Sequence, residues 1–140
     1  EVTNGDTKAY DESISKIKEY YLENIIKLNE PTKDIANKMI EADVVALFSE
    51  LEGLPNAICE GMMIGKPIVM TKVSDYRELV DTTNGILCDW DKPETIKNAL
   101  VYMMEQKEDK LLKMGHQSRK KAYHLFSKEN IAGKWMNVIK

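Results

Sequence analysis

Two runs of uninterrupted apolar residues, inside "DVVALFS" and "PIVMTKV", lie one short helix apart in the chain. No other feature limits the fold as tightly. Each run has strand length, is rich in β-branched residues and lacks polar alternation, as expected of a strand covered on both faces. The interval between them reads as a helix from about Pro55 to Ile64. Gly65 suits the left-handed position past its end, and Pro67 blocks continuation.

The flanking segments extend the alternation. "KAYDESISKIKEYYL" (Lys8–Leu22) has helical spacing, with Asp6 or Thr7 as its cap, and "NIIKLN" is a short strand candidate. "PTKDIANKMIEA" starts with Pro31 and Thr32 and places Ile35, Met39 and Ile40 on one helical face. A shorter strand, "NGILCDW", is introduced by the Asn84–Gly85 turn signal. Only helices follow: Pro93–Gln106, about Asp109–Leu125, and Lys128–Ile139 with Ser127 as its N-cap. Strand, helix, strand, helix, strand with short connections specifies a Rossmann-like three-layer α/β fold, a parallel sheet with helices on both faces.

The 140 residues, 43% of them hydrophobic, are enough for one domain with a single core. A net charge of −3 leaves no electrostatic footprint for nucleic acid. The apolar runs fall far short of the roughly 18–20 residues needed to span a bilayer, and no N-terminal stretch resembles a signal peptide. Cys59 and Cys88 lie far apart and outside metal-type spacing, which fits two free thiols in a reducing, cytoplasmic setting. The opening "EVTNGD" lacks a Met, so a piece of something longer is expected.

In sheets of this kind ligands sit at the carboxyl ends of strands, where loops lead into helix N-termini. The "SELEGLPN" loop has that address, and Glu52 and Glu60 stand eight positions apart around the helix entrance. Pro55 suits the first helical position, which makes Leu54 the cap; in the alternative register Asn56 is the cap. Leucine cannot accept a hydrogen bond. With Leu54 at the cap, the first-turn N–H groups keep free donors at the positive end of the helix dipole, a seat for a diphosphate unless water satisfies them.

Asn56 and Glu60, four apart, share one helical face. An ionised carboxylate at Glu60 can accept from two vicinal hydroxyls at once, as a ribose diol presents them. Glu52 falls on the other side of the phosphates, where a leaving sugar would lie, and Gly53 lets the backbone approach a ligand closely. The residues alone leave two readings open. One is a nucleotide-diphosphate-sugar lying along the loop; the other is two surface acids on an ordinary amphipathic helix.

"EGLPNAICEGMMIGKPIV" resembles the E-x7-E segment of the retaining glycosyltransferases of group 1 (glycosyltransferase family 4, GT-B fold). Supporting pieces come in the family's order: "EADVVALFS", a strand ending in Ser; "GKPIVMTKVSDYREL", with Glu78 at the acidic position; "NGILCDWDKPETIKNAL"; and "FSKENIAGKWMNVIK" as closing helix. The resemblance implies the C-terminal, donor-binding domain of a GT-B enzyme that transfers a hexose with retention of configuration, in polysaccharide or lipopolysaccharide assembly. It implies that Glu60 binds the ribose hydroxyls, that Glu52 faces the transferred sugar and its phosphates near the reaction centre, and that the backbone of Gly53, Leu54, Pro55 and Asn56 meets the sugar and diphosphate. Leu28 and Asn29 fall where the family's loop lines the base.

No metal or other cofactor is expected, because helix dipole and Arg/Lys carry the leaving diphosphate. The partners implied are a nucleotide-sugar donor and a sugar or lipid-linked acceptor. Two departures stand out: the turn reads "VSDYRE" where the family has a Gly-rich one, and Gly61 stands where Ala is common. The N-terminal acceptor domain, and the opening strand and helix with their diphosphate-binding Arg and Lys, are expected to lie outside this chain, so no turnover and weak donor binding are expected of it alone.

Other residues are read without a catalytic role. His116 and His124 are surface or packing residues, Cys59 and Cys88 small buried hydrophobes, and Met62, Met63, Met103 and Met104 core packing. Arg119, Lys120 and Lys121 form a solvated basic face, with a peripheral contact at the inner face of the cell membrane as the alternative. Lys72 and Arg77 flank the loop after a strand and are assigned no phosphate. Two rival functions are weighed: a GT-B epimerase, which would lack the "EGLPN" entrance, and a nucleotide-binding or interaction module on a flavodoxin-like scaffold.

Overall fold

The computed structural model describes residues 6–139. Two compact units divide the chain at Lys33 and Asp34. In the first, helix α1 (Asp6–Glu19) already includes Asp6 and Thr7, so neither caps it. The helix stops short of the expected Leu22. Tyr21 takes the left-handed conformation (φ 55°), and the Leu22 N–H folds back to the Ile17 carbonyl at 2.8 Å, closing the last turn.

The expected strand "NIIKLN" does not form. Ile25 and Ile26 donate to the Leu22 carbonyl in a turn, and the segment beyond is irregular, with no ladder partner among the described residues. A strand exists only by pairing, so the apolar character of Ile25, Ile26 and Leu28 leaves them exposed instead of buried.

The second unit holds α2 (Ile35–Glu41), β1 (Val45–Leu47), α3 (Asn56–Ile64), β2 (Ile68–Thr71), α4 (Tyr76–Leu79), β3 (Gly85–Cys88), α5 (Pro93–Met104), α6 (Glu108–Phe126) and α7 (Lys128–Ile139). The three strands run parallel in the order β1-β2-β3, with Val45 opposite Ile68 and Ile68 opposite Gly85. Side chains alternate across β2. Ile68 and Met70 join Val45, Ile58, Met62 and Ala122 on one face; Val69 joins Cys88, Ala99, Met103 and Met114 on the other. The helices on those two faces complete the expected three-layer α/β arrangement. Each wholly buried Ile or Met contributes about 1.5–3 kcal/mol of apolar burial.

Close backbone approach locks α3 in place. Gly65 ends it at φ 88°, donating to the Gly61 and Met62 carbonyls at 3.1 and 3.0 Å. Gly115 of α6 packs directly on the Gly65 carbonyl, and a Cβ there would collide with it. Gly115, Ser118 and Ala122 are all buried on α6, a stripe small enough for that approach. Ser118 also reaches the buried Asn84, which accepts from the Asp81 N–H (2.9 Å) and donates to the Leu79 carbonyl (3.0 Å) at the entrance to β3.

Several expectations are corrected. The run "DVVALFS" contributes only three residues to the sheet, and Ala46 and Phe48 are exposed; among the described residues β1 pairs with β2 alone, at the edge of the sheet. Helix α2 starts at Ile35, after Asp34 and not at Pro31, and of its three expected core residues only Met39 is buried. Met63 and Met104 are exposed although Met62 and Met103 are core, since neighbours on a helix point about 100° apart. Cys88 is buried as expected, whereas Cys59 is only half-buried, and burial raises both thiols above their ordinary range. Among the described residues no helix is long and apolar enough to cross a membrane.

Candidate functional site at the entrance to helix α3

The loop between β1 and α3 leaves the carboxyl edge of the sheet and carries Glu52, Gly53, Leu54 and Pro55. Proline forces φ to −75°, but ψ swings to 82°, outside helical values, so Pro55 is the cap and Asn56 the first helical residue. Both expected registers, Leu54 or Asn56 as cap, are displaced by one residue. The consequence is unchanged in kind. Pro55 has no side-chain acceptor, and no side chain caps the helix.

The Ile58 and Cys59 N–H groups bond to the Pro55 carbonyl at 2.9 and 3.1 Å. The N–H groups of Asn56 and Ala57 find no acceptor among the described residues, and they sit at the positive end of a nine-residue helix. Pro55, Ile58 and Met62 are buried and anchor the helix to the sheet. That leaves its tip facing outward.

Around this tip the candidate residues are arranged as follows. Asn56 and Glu60 are both exposed on α3, and Glu60 stands about 7 Å along the axis from Pro55. Gly53 has open space around it, and Leu54 is exposed. Glu52 is half-buried and its Oε1 accepts from the Ser49 hydroxyl at 2.6 Å. Two of the larger concavities, of about 680 and 670 Å3, lie elsewhere, one beside Gly65 and Met103 and one beside Gly85 and Tyr102. Leu28 and Asn29 belong to the first unit, where both are exposed beyond α1.

The neighbouring cations are already engaged. Lys72, just past β2, reaches Asp89 Oδ1 at 2.7 Å, and Lys92 reaches Oδ2 at 3.3 Å. The hydrogen bond raises the Lys72 ammonium above its ordinary value and holds the Asp89 carboxyl below its own. Arg77 lies over the Tyr76 ring, 4.7 Å from its centre. Glu78 is exposed on the short helix α4, where a loop was expected. The turn before it, expected to need glycine, is made by Ser74 at φ 53°. Of the basic cluster, Lys121 pairs with Asp81 at 2.6 Å, Arg119 stacks over Tyr123, and Lys120 is exposed, as are His116 and His124.

Thr71 was not among the residues singled out. Its hydroxyl donates to the Ser49 carbonyl at 2.6 Å and so supports the residue that holds Glu52. A β-branched residue at the end of a buried strand carries no sequence signal beyond packing.

Known proteins resemble the chain in sequence and in fold. The family model described as "Glycosyl transferases group 1" matches residues 2–106. WcaL of Escherichia coli strain K12, named as a colanic acid biosynthesis glycosyltransferase, is 28% identical over 127 residues, covering 82% of this chain and 30% of that protein. The crystal structure of Anabaena Alr3699/HepE in complex with UDP superposes with a TM-score of 0.87 at 25% identity, over 98% of this chain and 38% of that one. The same Anabaena protein in complex with UDP-glucose gives a TM-score of 0.84 at 25% identity, over 97% of this chain and 38% of that one. The neighbours are glycosyltransferases of the GT-B fold. The chain spans about a third of the length of the curated relatives it matches. It belongs to the group 1 glycosyl transferases.

Proposed function

We propose that this chain is the donor-binding domain of a retaining glycosyltransferase of family 4, moving a hexose from a nucleotide-diphosphate-sugar to an acceptor hydroxyl in polysaccharide or lipopolysaccharide biosynthesis. The observation that carries the reading is the uncapped tip of α3, at the carboxyl edge of a parallel sheet, with Glu52 before it and Glu60 beyond it. The Anabaena neighbour's complexes with UDP and UDP-glucose support a nucleotide-sugar as the ligand.

In this reading the Asn56 and Ala57 N–H groups and the helix dipole meet the diphosphate. The Glu60 carboxylate accepts from the ribose diol, and Glu52, with the backbone of Gly53, Leu54 and Pro55, faces the sugar. Charge that develops on the leaving diphosphate meets donors fixed in place before the reaction, which is electrostatic stabilisation without a metal. The acceptor domain and the cationic half of the phosphate site belong to the longer parent protein, which works on the cytoplasmic side. The chain alone therefore binds donor weakly and does not turn over.

Titration of the 140-residue chain with UDP, followed by NMR, tests this. Glu60→Ala removes hydrogen bonds to a charged acceptor and is expected to weaken UDP binding by roughly 10- to 100-fold. Equal affinity in wild type and variant rejects the ribose role, and no binding by wild type rejects the donor-domain reading.

A further inference from the structure

Thr71 is a wholly buried polar residue closing a strand that has helices on both faces. Its backbone pairs with Cys88 of β3, so its side chain is not needed for the ladder. The β1–β2 register ends with Leu47 opposite Met70. Two residues later the chain has left the sheet, and the Thr71 hydroxyl recaptures it at the Ser49 carbonyl, 2.6 Å away. Ser49 then donates from its own hydroxyl to Glu52 Oε1, also at 2.6 Å, in the short range of a charge-assisted bond. No ion pair among the described residues holds Glu52.

The geometry points to Thr71 and Ser49 as positioning residues: two hydroxyls in series tie the Glu52 carboxylate to the interior of the sheet and fix it toward the donor sugar. This rests on the reading of Glu52 given above. A glutamate on an open loop samples several rotamers, whereas a reacting centre needs its flanking acid held to a fraction of an ångström. The device supplies that restraint from a residue with no freedom of its own. Thr71 is β-branched, and burial confines its χ1. Valine would fill the same space and donate nothing.

Three variants separate the links. Thr71→Val removes the first hydroxyl at nearly constant shape, Thr71→Ser restores it, and Ser49→Ala cuts only the second link, outside the strand, so it carries the test if Thr71→Val does not fold. Two readouts are taken on the 140-residue chain: the Glu52 χ1 rotamer from NMR three-bond couplings, and the ratio of UDP-glucose to UDP affinity from titration.

Wild type and Thr71→Ser are expected to show one Glu52 rotamer, and Thr71→Val and Ser49→Ala an averaged one. In the latter two the affinity ratio is expected to fall about three- to tenfold while UDP affinity itself holds, a change the size of one hydrogen bond. An unaltered rotamer and ratio in Thr71→Val and Ser49→Ala overturn the positioning role and leave the donor reading standing. A rotamer that Thr71→Val releases, in a chain whose wild type binds neither nucleotide, supports the positioning role and removes the donor reading.

Discussion

Gly115→Ala sets two physical effects of opposite sign against each other. In an exposed helix interior, replacing glycine by alanine stabilises by about 1 kcal/mol, because the unfolded chain loses less entropy on ordering. At Gly115 the new Cβ would fall on the Gly65 carbonyl oxygen, inside the contact distance of two bonded-backbone neighbours that cannot rotate away. The Gly65 carbonyl is fixed by the left-handed turn that ends α3, and Gly115 is fixed by the buried residues Met114, Ser118 and Ala122 around it. The helices must separate by about 1 Å, and overpacking of this kind costs about 1–3 kcal/mol, at the upper end when the obstacle is backbone.

The steric term wins, with a net loss of about 2 kcal/mol once the helix-propensity gain is subtracted. Urea unfolding at 25 °C reads this directly. With a slope of about 1–3 kcal/mol per molar, the midpoint is expected to fall by on the order of 1 M, with the slope unchanged. A midpoint that stays or rises refutes the close approach of α3 and α6, because propensity alone gives that result. The outcome matters for the site, since the same contact pins the far end of the helix whose tip faces outward.

Two further stability measurements follow from the loops. Ser74→Gly relieves a left-handed serine (φ 53°) and is expected to raise stability by about 0.5–1 kcal/mol in the same urea assay, less any entropy glycine adds to the unfolded chain. Lys121 and Thr83 hold the Asp81 carboxyl at about 2, below its ordinary 3.8, so the folded state releases that proton more readily than the unfolded one. The resulting stability is complete above the unfolded value and is lost as pH falls through the folded one. Because the Asp81 side chain is 48% exposed, the contribution is about 1 kcal/mol after allowance for screening. The difference in unfolding free energy between wild type and Asp81→Asn is expected in full at pH 6, should shrink from about pH 5 downward and should vanish near pH 1, below both values; a difference that persists there assigns it to the turn and not to the charge.

The sequence carried the parallel sheet because the signal there is local and strong. "PIVM" is apolar on both faces, and the Gly65 and Pro67 stop signals bracket one helix unambiguously. What failed depends on partners that no local pattern encodes. "NIIKLN" has strand composition, but composition cannot provide the neighbouring ladder. Ile35 and Ile40 have helical spacing but lie where little packs on α2. Pro55 was misplaced by one position because its ring settles φ and leaves ψ to the surroundings.

At the site, spacing and helix-end chemistry placed the two glutamates and the loop between them at a helix entrance, while the roles given to them came from the resemblance. Ser49 was visible only as part of a resemblance, and Thr71 not at all, since what links them is a contact across 22 positions of chain. The turn at Ser74 was noticed as an irregularity, yet the chain bends there as a glycine would, so the departure lies in residue type and not in backbone path.

The central strand, Ile68–Thr71, is hydrogen-bonded along both flanks and buried at every position. Glu52 is tied to that segment through Ser49, while Glu60 is exposed on α3 with no hydrogen-bond partner among the described residues. In the donor reading proposed above, a molecule laid across both acids would meet a tethered one at its sugar and an untethered one at its ribose.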